Sequence, residues 1–138
     1  MKILELTNYS GGACGVWARV REESIRLKKK GHEILVISSN SSKGNKDILS
    51  KNEVFKGIHI LRMPYNKLGG EGFMNWPLID EALNFSPDII IAHNYRHPHT
   101  LKALKVAKIL RKRGKNCKVF LVTHAPFVEG NITRTYFN

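Results

Sequence analysis

Short apolar runs alternate along this chain with stretches of helical period, and the alternation predicts its elements. Met1-Lys-Ile-Leu-Glu-Leu-Thr7 reads as a first strand and ends in a glycine-rich bend, Ser10-Gly-Gly-Ala-Cys-Gly15. A helix-length stretch follows to Lys30, and Gly31-His-Glu-Ile-Leu-Val-Ile-Ser38 supplies a second strand. Strand, tight loop, helix and strand make the βαβ unit that opens doubly wound α/β domains. Ser39 to Lys56 is polar without a clear period and reads as loop or short irregular helix, whereas Gly57-Ile-His-Ile-Leu-Arg62 alternates as a third strand. Met63 to Pro77 sets Gly69, Gly70 and Gly72 beside Tyr65, Phe73 and Trp76. Such a loop serves either to contact a ligand or to pin its aromatics to the core.

Leu78 to Phe85 predicts a short helix stopped by Pro87. Asp88-Ile-Ile-Ile-Ala92 is a continuous apolar run, the signature of a strand buried on both faces of a parallel sheet. His99 to Arg113 is helical, with Ala103, Leu104, Val106, Ala107 and Leu110 on one side and Lys102, Lys105, Lys108 and Lys112 on the other. Lys118-Val-Phe-Leu-Val-Thr123 is a fifth strand. The expected fold is α/β, a Rossmann-like doubly wound parallel sheet in the order 3-2-1-4-5, set by right-handed crossovers.

Composition narrows the setting. The 138 residues make one domain with an adequate core. No apolar stretch reaches the roughly 18–20 residues of a membrane span, and Met1-Lys2 leads straight into a strand without a signal-peptide layout. With Cys14 and Cys117 alone, a disulfide scaffold is excluded and a cytoplasmic location is expected. The formal net charge is +12, and residues 99–138 hold nine Lys/Arg against a single acid, Glu129. That asymmetry points to acidic partners, namely nucleotide phosphates, an anionic membrane surface or nucleic acid, or to a solvated basic face.

Ligands of such sheets bind beyond the carboxyl ends of the strands, near the switch point. Three segments fall there: the Gly11–Gly15 loop, His93-Asn-Tyr-Arg-His97 and His124-Ala-Pro126. Backbone N–H groups from Gly12 through Gly15 to Val16, at the start of the first helix, suit a phosphate. His93, Asn94 and His124 are the candidate side chains. No metal is expected. His93, His97 and His99 cluster, but Pro98 breaks their helical spacing and no neighbouring Cys or carboxylate completes a ligand set. G-x-S-x-G is absent, which argues against nucleophilic hydrolysis. The glycines read G-G-x-x-G and the second strand runs out into Ser38-Ser-Asn-Ser-Ser42, which argues against NAD and leaves NADP open.

In combination these segments resemble the N-terminal domain of the group 1 (family 4) GT-B glycosyltransferases. The likeness rests on Lys2-Ile-Leu, the glycine loop, Leu27-Lys-Lys-Lys-Gly-His-Glu-Ile-Leu-Val-Ile37, Pro87-Asp-Ile-Ile-Ile-Ala-His93 and Val119-Phe-Leu-Val-Thr-His124. It implies a retaining transfer from a nucleotide-diphosphate sugar, without cofactor or metal, to an acceptor that the sequence does not identify. It also implies that this domain holds the acceptor while a second domain binds the nucleotide. By position, Gly15 matches the second glycine of the family's phosphate-binding pair. His124 matches the histidine that contacts the donor sugar near the reacting carbon, and His93 the last histidine of an Asp-x-x-His-x-His pattern.

The sequence departs from that pattern in several places. Cys14 replaces the first glycine of the pair, Ile91 replaces the first histidine, and Glu23 and Ser24 stand where the family's first helix buries Leu and Ala. A buried Glu23 needs a partner. Residues 1–138 are expected to be a truncated N-terminal domain that lacks the nucleotide-binding domain and does not catalyse transfer alone, with Val128, Ile132, Tyr136 and Phe137 left without their packing partners. Two other readings stand beside this one: a non-catalytic α/β domain for a phosphorylated ligand, and a basic nucleic-acid-binding domain. Against the latter, no helix-turn-helix, RNP or zinc signature is present.

Overall fold

The computed structural model describes residues 1–45, 47–66 and 71–124. Gly69 and Gly70, Ala125 and Pro126, and the apolar positions Val128, Ile132, Tyr136 and Phe137 lie outside the described residues. The chain runs β1 (Lys2–Leu6), α1 (Gly15–Lys29), β2 (Glu33–Ser39), β3 (Asn52–Phe55), β4 (Ile58–Met63), a 3-10 turn (Glu71–Phe73), α2 (Ile79–Phe85), β5 (Ile89–His93), α3 (Pro98–Lys112) and β6 (Lys118–Val122). The strands form one sheet in the order β3-β4-β2-β1-β5-β6. All neighbours are parallel except β3, which pairs antiparallel with β4 at the edge.

This architecture is α/β and Rossmann-like, but among the described residues its sheet has six strands and is mixed, where five parallel strands in the order 3-2-1-4-5 are expected. The difference arises in the segment that reads as loop. Asn52–Phe55 forms a hairpin with Ile58–Met63, Phe55 facing Ile58. Lys56 and Gly57 both take positive φ, 51° and 81°, as the two central residues of a tight hairpin turn do. Val54 is exposed and Phe55 half-buried, so this edge strand lacks the apolar alternation that marks a half-buried one.

Two apolar layers flank the sheet because successive side chains of each strand point to opposite faces. Leu4, Leu6, Leu35, Ile37, Leu61 and Ile90 meet Trp76, Leu78 and the inner face of α3 on one side. Ile3, Ile34, Val36, Ile58, Ile60 and Ile91 meet Trp17 and Val20 of α1 on the other. Each fully buried aliphatic side chain contributes roughly 1.5–3 kcal/mol. The first helix stops where Gly31, at φ 92°, takes the left-handed conformation. Its N–H reaches Lys28 O at 3.0 Å and that of His32 reaches Leu27 O at 3.2 Å, the paired bonds that close a helix and aim the chain into β2.

On α3, Ala103, Val106, Ala107 and Leu110 are buried, but Leu104 is 49% exposed. Leu104 and Lys102 sit about 100° to either side of Ala103 on the helix, at the margins of the covered sector. Lys102 correspondingly leaves the basic face: it is half-buried and its ammonium donates to Trp76 O at 2.8 Å. Lys105, Lys108 and Lys112 are exposed. No helix among the described residues is long and apolar enough to cross a membrane.

The glycine loop is held from behind by a buried arginine. Arg62 of β4 donates from Nε to Ser10 Oγ at 2.8 Å, from Nη2 to Ser10 O at 2.9 Å and from Nη1 to Ser50 O at 3.1 Å, and pairs with Glu53 at 3.2 Å. Arg62→Met removes these donors and strands the Ser10 carbonyl, at a cost of about 2–3 kcal/mol. Urea unfolding checks this; a loss below about 0.5 kcal/mol, the scale of an ordinary surface change, contradicts the clamp.

Candidate functional site

Glycines in the loop after β1 serve different ends. Gly12 has φ 78°, and a Cβ there would lie 2.3 Å from Lys43 O, so its smallness lets the loop backbone lie against residues 42–43. Gly15 opens α1, is exposed, and has nothing among the described residues within 4 Å of a would-be Cβ. Cys14 caps the helix, its sulfur accepting the Trp17 N–H at 3.5 Å. No acid occupies the first turn, which leaves the positive end of the helix uncompensated by its own side chains.

A cavity of about 120 Å³ sits at this helix start, lined by Thr7, Asn8, Tyr9, Cys14, Val16, Lys43, Asn94 and His97. Its floor is tied together by polar bonds. Asn8 donates to His97 Nδ1 at 3.0 Å and accepts from Trp76 Nε1 at 3.3 Å. Trp76 is buried in the core, so it shapes the site through Asn8. The opposite wall is the turn after β5, where Asn94 and Arg96 hold φ of 78° and 60°. Asn94 tolerates that region better than most residues. Its N–H reaches Val122 O at 2.9 Å and its carbonyl accepts from Thr100 Oγ1 at 2.8 Å, which fixes the turn. Another cavity, about 460 Å³ among Tyr65, Asn75, Trp76 and Lys102, is not where the titratable groups meet.

Those groups meet on the α1 face of the sheet, immediately behind Asn94. His93 ends β5 fully buried and His124 follows β6 half-buried; His93 Nδ1 and His124 Nε2 lie 2.8 Å apart and the rings stack at 5.1 Å. On its other side, His93 Nε2 lies 2.6 Å from Glu5 Oε2. Glu5 is fully buried in the central strand, at an alternation position that otherwise carries Ile3. Burial raises the Glu5 carboxyl well above its ordinary range, and nearby Glu23 raises it further. Burial likewise lowers His93 to about 4, and burial, with His93 and Arg19 beyond it, lowers His124. Both partners of the buried pair thus favour their uncharged forms. A protonated Glu5 then donates to His93 Nε2, leaving the His93 proton on Nδ1, where it donates to His124 Nε2.

The sequence-selected residues therefore divide into two adjoining groups. Val16 and Asn94 line the cavity with Gly15 at its helix start; His93 and His124 form the buried pair behind; Gly12 supports the loop. The His97 and His99 rings lie 5.5 Å apart, but among the described residues they form no ligand set with His93. His99 stacks on Trp76 at 5.4 Å, and its Nε2 donates to the His93 carbonyl at 2.5 Å. Ser24 is buried, its hydroxyl without a partner among the described residues. Sequence reasoning passed over Glu5, Asn8 and Arg62. A lone acid inside an apolar strand was the available signal for Glu5.

No protein-family model matches the chain, and no curated protein matches it.

Burial lowers His99 to about 4. An unfolded histidine titrates near pH 6.5, so the stability that neutral His99 contributes is whole above that pH and falls as pH drops towards 4. Ring NMR should give a His99 midpoint near 4, with unfolding free energy decreasing over the same window. A midpoint near 6.5 contradicts the buried, neutral assignment.

Proposed function

We propose that the chain is the acceptor-side domain of a retaining, nucleotide-sugar-dependent glycosyltransferase. The observation that carries this reading is the convergence of His93 and His124, 2.8 Å apart, at the carboxyl ends of β5 and β6 beside the glycine loop. In doubly wound sheets that edge is where ligands bind. Gly15 supports the reading too, because open space at its α-carbon leaves room for a phosphate to approach the helix start. Lys43 lines the same cavity and adds positive charge.

In this reading the donor diphosphate lies over the helix start at Gly15 and Val16, the Cys14 N–H being taken up by Gly12 O at 3.1 Å, with the nucleotide on a second domain. His124 hydrogen-bonds the donor sugar and stabilises charge that develops at the reacting carbon. Held neutral by burial, its imidazole meets the sugar hydroxyls as a hydrogen-bonding group and not as a competing cation. His93 is a positioning residue that fixes the His124 ring. Lys105, Lys108 and Lys112 offer an anionic membrane surface a place to bind, which suits a lipid-linked acceptor.

Two measurements test the proposal. Millimolar UDP-glucose or GDP-mannose added to labelled protein should shift amide resonances from Gly11 to Trp17 and at Asn94; the absence of any shift there contradicts it. In the transfer-competent enzyme, His124→Ala should lower turnover of the folded protein by about 10²–10³, while the His93 N–H left without its partner costs about 1–3 kcal/mol of stability. Unchanged turnover per folded molecule would make His124 a structural residue.

A further inference from the structure

Glu5 keeps one oxygen unused. Oε2 meets His93, whereas Oε1 is buried and has no hydrogen-bond partner among the described residues. A second acid approaches from α1: one ligand atom each from Glu5, Glu23 and His93 all lie within 4.8 Å of one another. Neither feature serves sugar transfer. A proton on Glu5 satisfies the bond to His93 and leaves Oε1 stripped, while a cation between the carboxylates meets both acids together.

We propose that Glu5, Glu23 and His93 form a binding site for one divalent transition-metal ion of the zinc type. Two carboxylates and an imidazole balance a double positive charge and leave a fourth position open, the composition of a three-ligand zinc site. Ligand atoms on a tetrahedral zinc ion lie about 3.4 Å apart, so side-chain shifts of about an ångström close the set: Glu23 draws inward and the 2.6 Å contact between Glu5 and His93 opens. The ligands come from β1, α1 and β5, elements already fixed by the sheet and its apolar layer. The ion takes the place of the proton between Glu5 and His93. His93 then keeps its N–H on Nδ1, 2.8 Å from His124 Nε2, an outer hydrogen bond of the kind metal-bound histidines make. Half-buried Glu23 gives the site its solvent side. The expectation of no metal rested on the lack of a carboxylate near the histidines in sequence; the fold brings two from residues 5 and 23.

The site shares His93 with the transfer reading, but its test is separate, since binding of Zn²⁺ is measured without donor or acceptor. Untagged protein, stripped by a chelator and titrated with Zn²⁺ in a calorimeter, should bind one equivalent, more tightly at pH 8 than at pH 6 because the acids must lose their protons. Glu5→Gln and Glu23→Gln should each weaken binding by about 100-fold or more, beyond the usual loss for an outer-shell partner. His59→Asn, on exposed β4 surface, should leave it unchanged. X-ray absorption of the 1:1 wild-type complex should show one imidazole nitrogen with oxygen ligands, a readout that needs no variant to fold. The proposal is overturned by the absence of stoichiometric binding, by unchanged affinity in Glu23→Gln, or by a shell containing sulfur or more than one imidazole.

Discussion

A carboxyl group inside the apolar face of the central strand is the constraint on which the rest of the site depends. Glu5 stands between Ile3 and the end of β1, fully buried, where an aliphatic residue would pack at no electrostatic cost. An ionised carboxylate in such a place is heavily penalised unless paired. Its partner, His93, is held by β5, and the parallel register of β1 and β5 brings the two within 2.6 Å. His93 in turn fixes His124 beyond β6. One buried polar contact thus joins three adjacent segments at the carboxyl edge of the sheet.

The surrounding structure is arranged to keep that edge in place. Arg62 anchors Ser10 from the β4 side, Asn8 links β1 to the start of α3 through His97, and the left-handed turn at Asn94 is tied to both Val122 and Thr100. These bonds carry little information about the ligand. They hold the segments around the helix start at Gly15 and the histidine pair in place.

Elements with strong periodicity were legible in the sequence. Strands such as Ile89–His93, buried on both faces, show as unbroken apolar runs, and Gly31 marks the end of α1 because only its left-handed turn aims the chain into β2. β3 was not legible: as an edge strand it buries little, so its residues carry no alternating pattern. Leu104 and Lys102 stood at the margins of the helix face, where a wheel does not decide burial. The carboxyl edge of the sheet was legible from topology, since it follows from where strands end. Its chemistry was only half so. His93 and His124 announce themselves by position, whereas Glu5 hides in a strand that reads apolar, and its nearness to Glu23 and His93 exists only in three dimensions.

Glu5 and His93 act as one buried unit. A double-mutant cycle on unfolding free energy, with Glu5→Leu and His93→Leu measured singly and together in the presence of a chelator, tests this most directly. Each single change leaves the other, uncharged polar group buried without its partner, so each should destabilise by about 1–3 kcal/mol. The double variant should be more stable than the sum of the two predicts, with a coupling of about 1 kcal/mol or more. Additive losses would mean that the two side chains do not depend on each other, and the site built on them would fall.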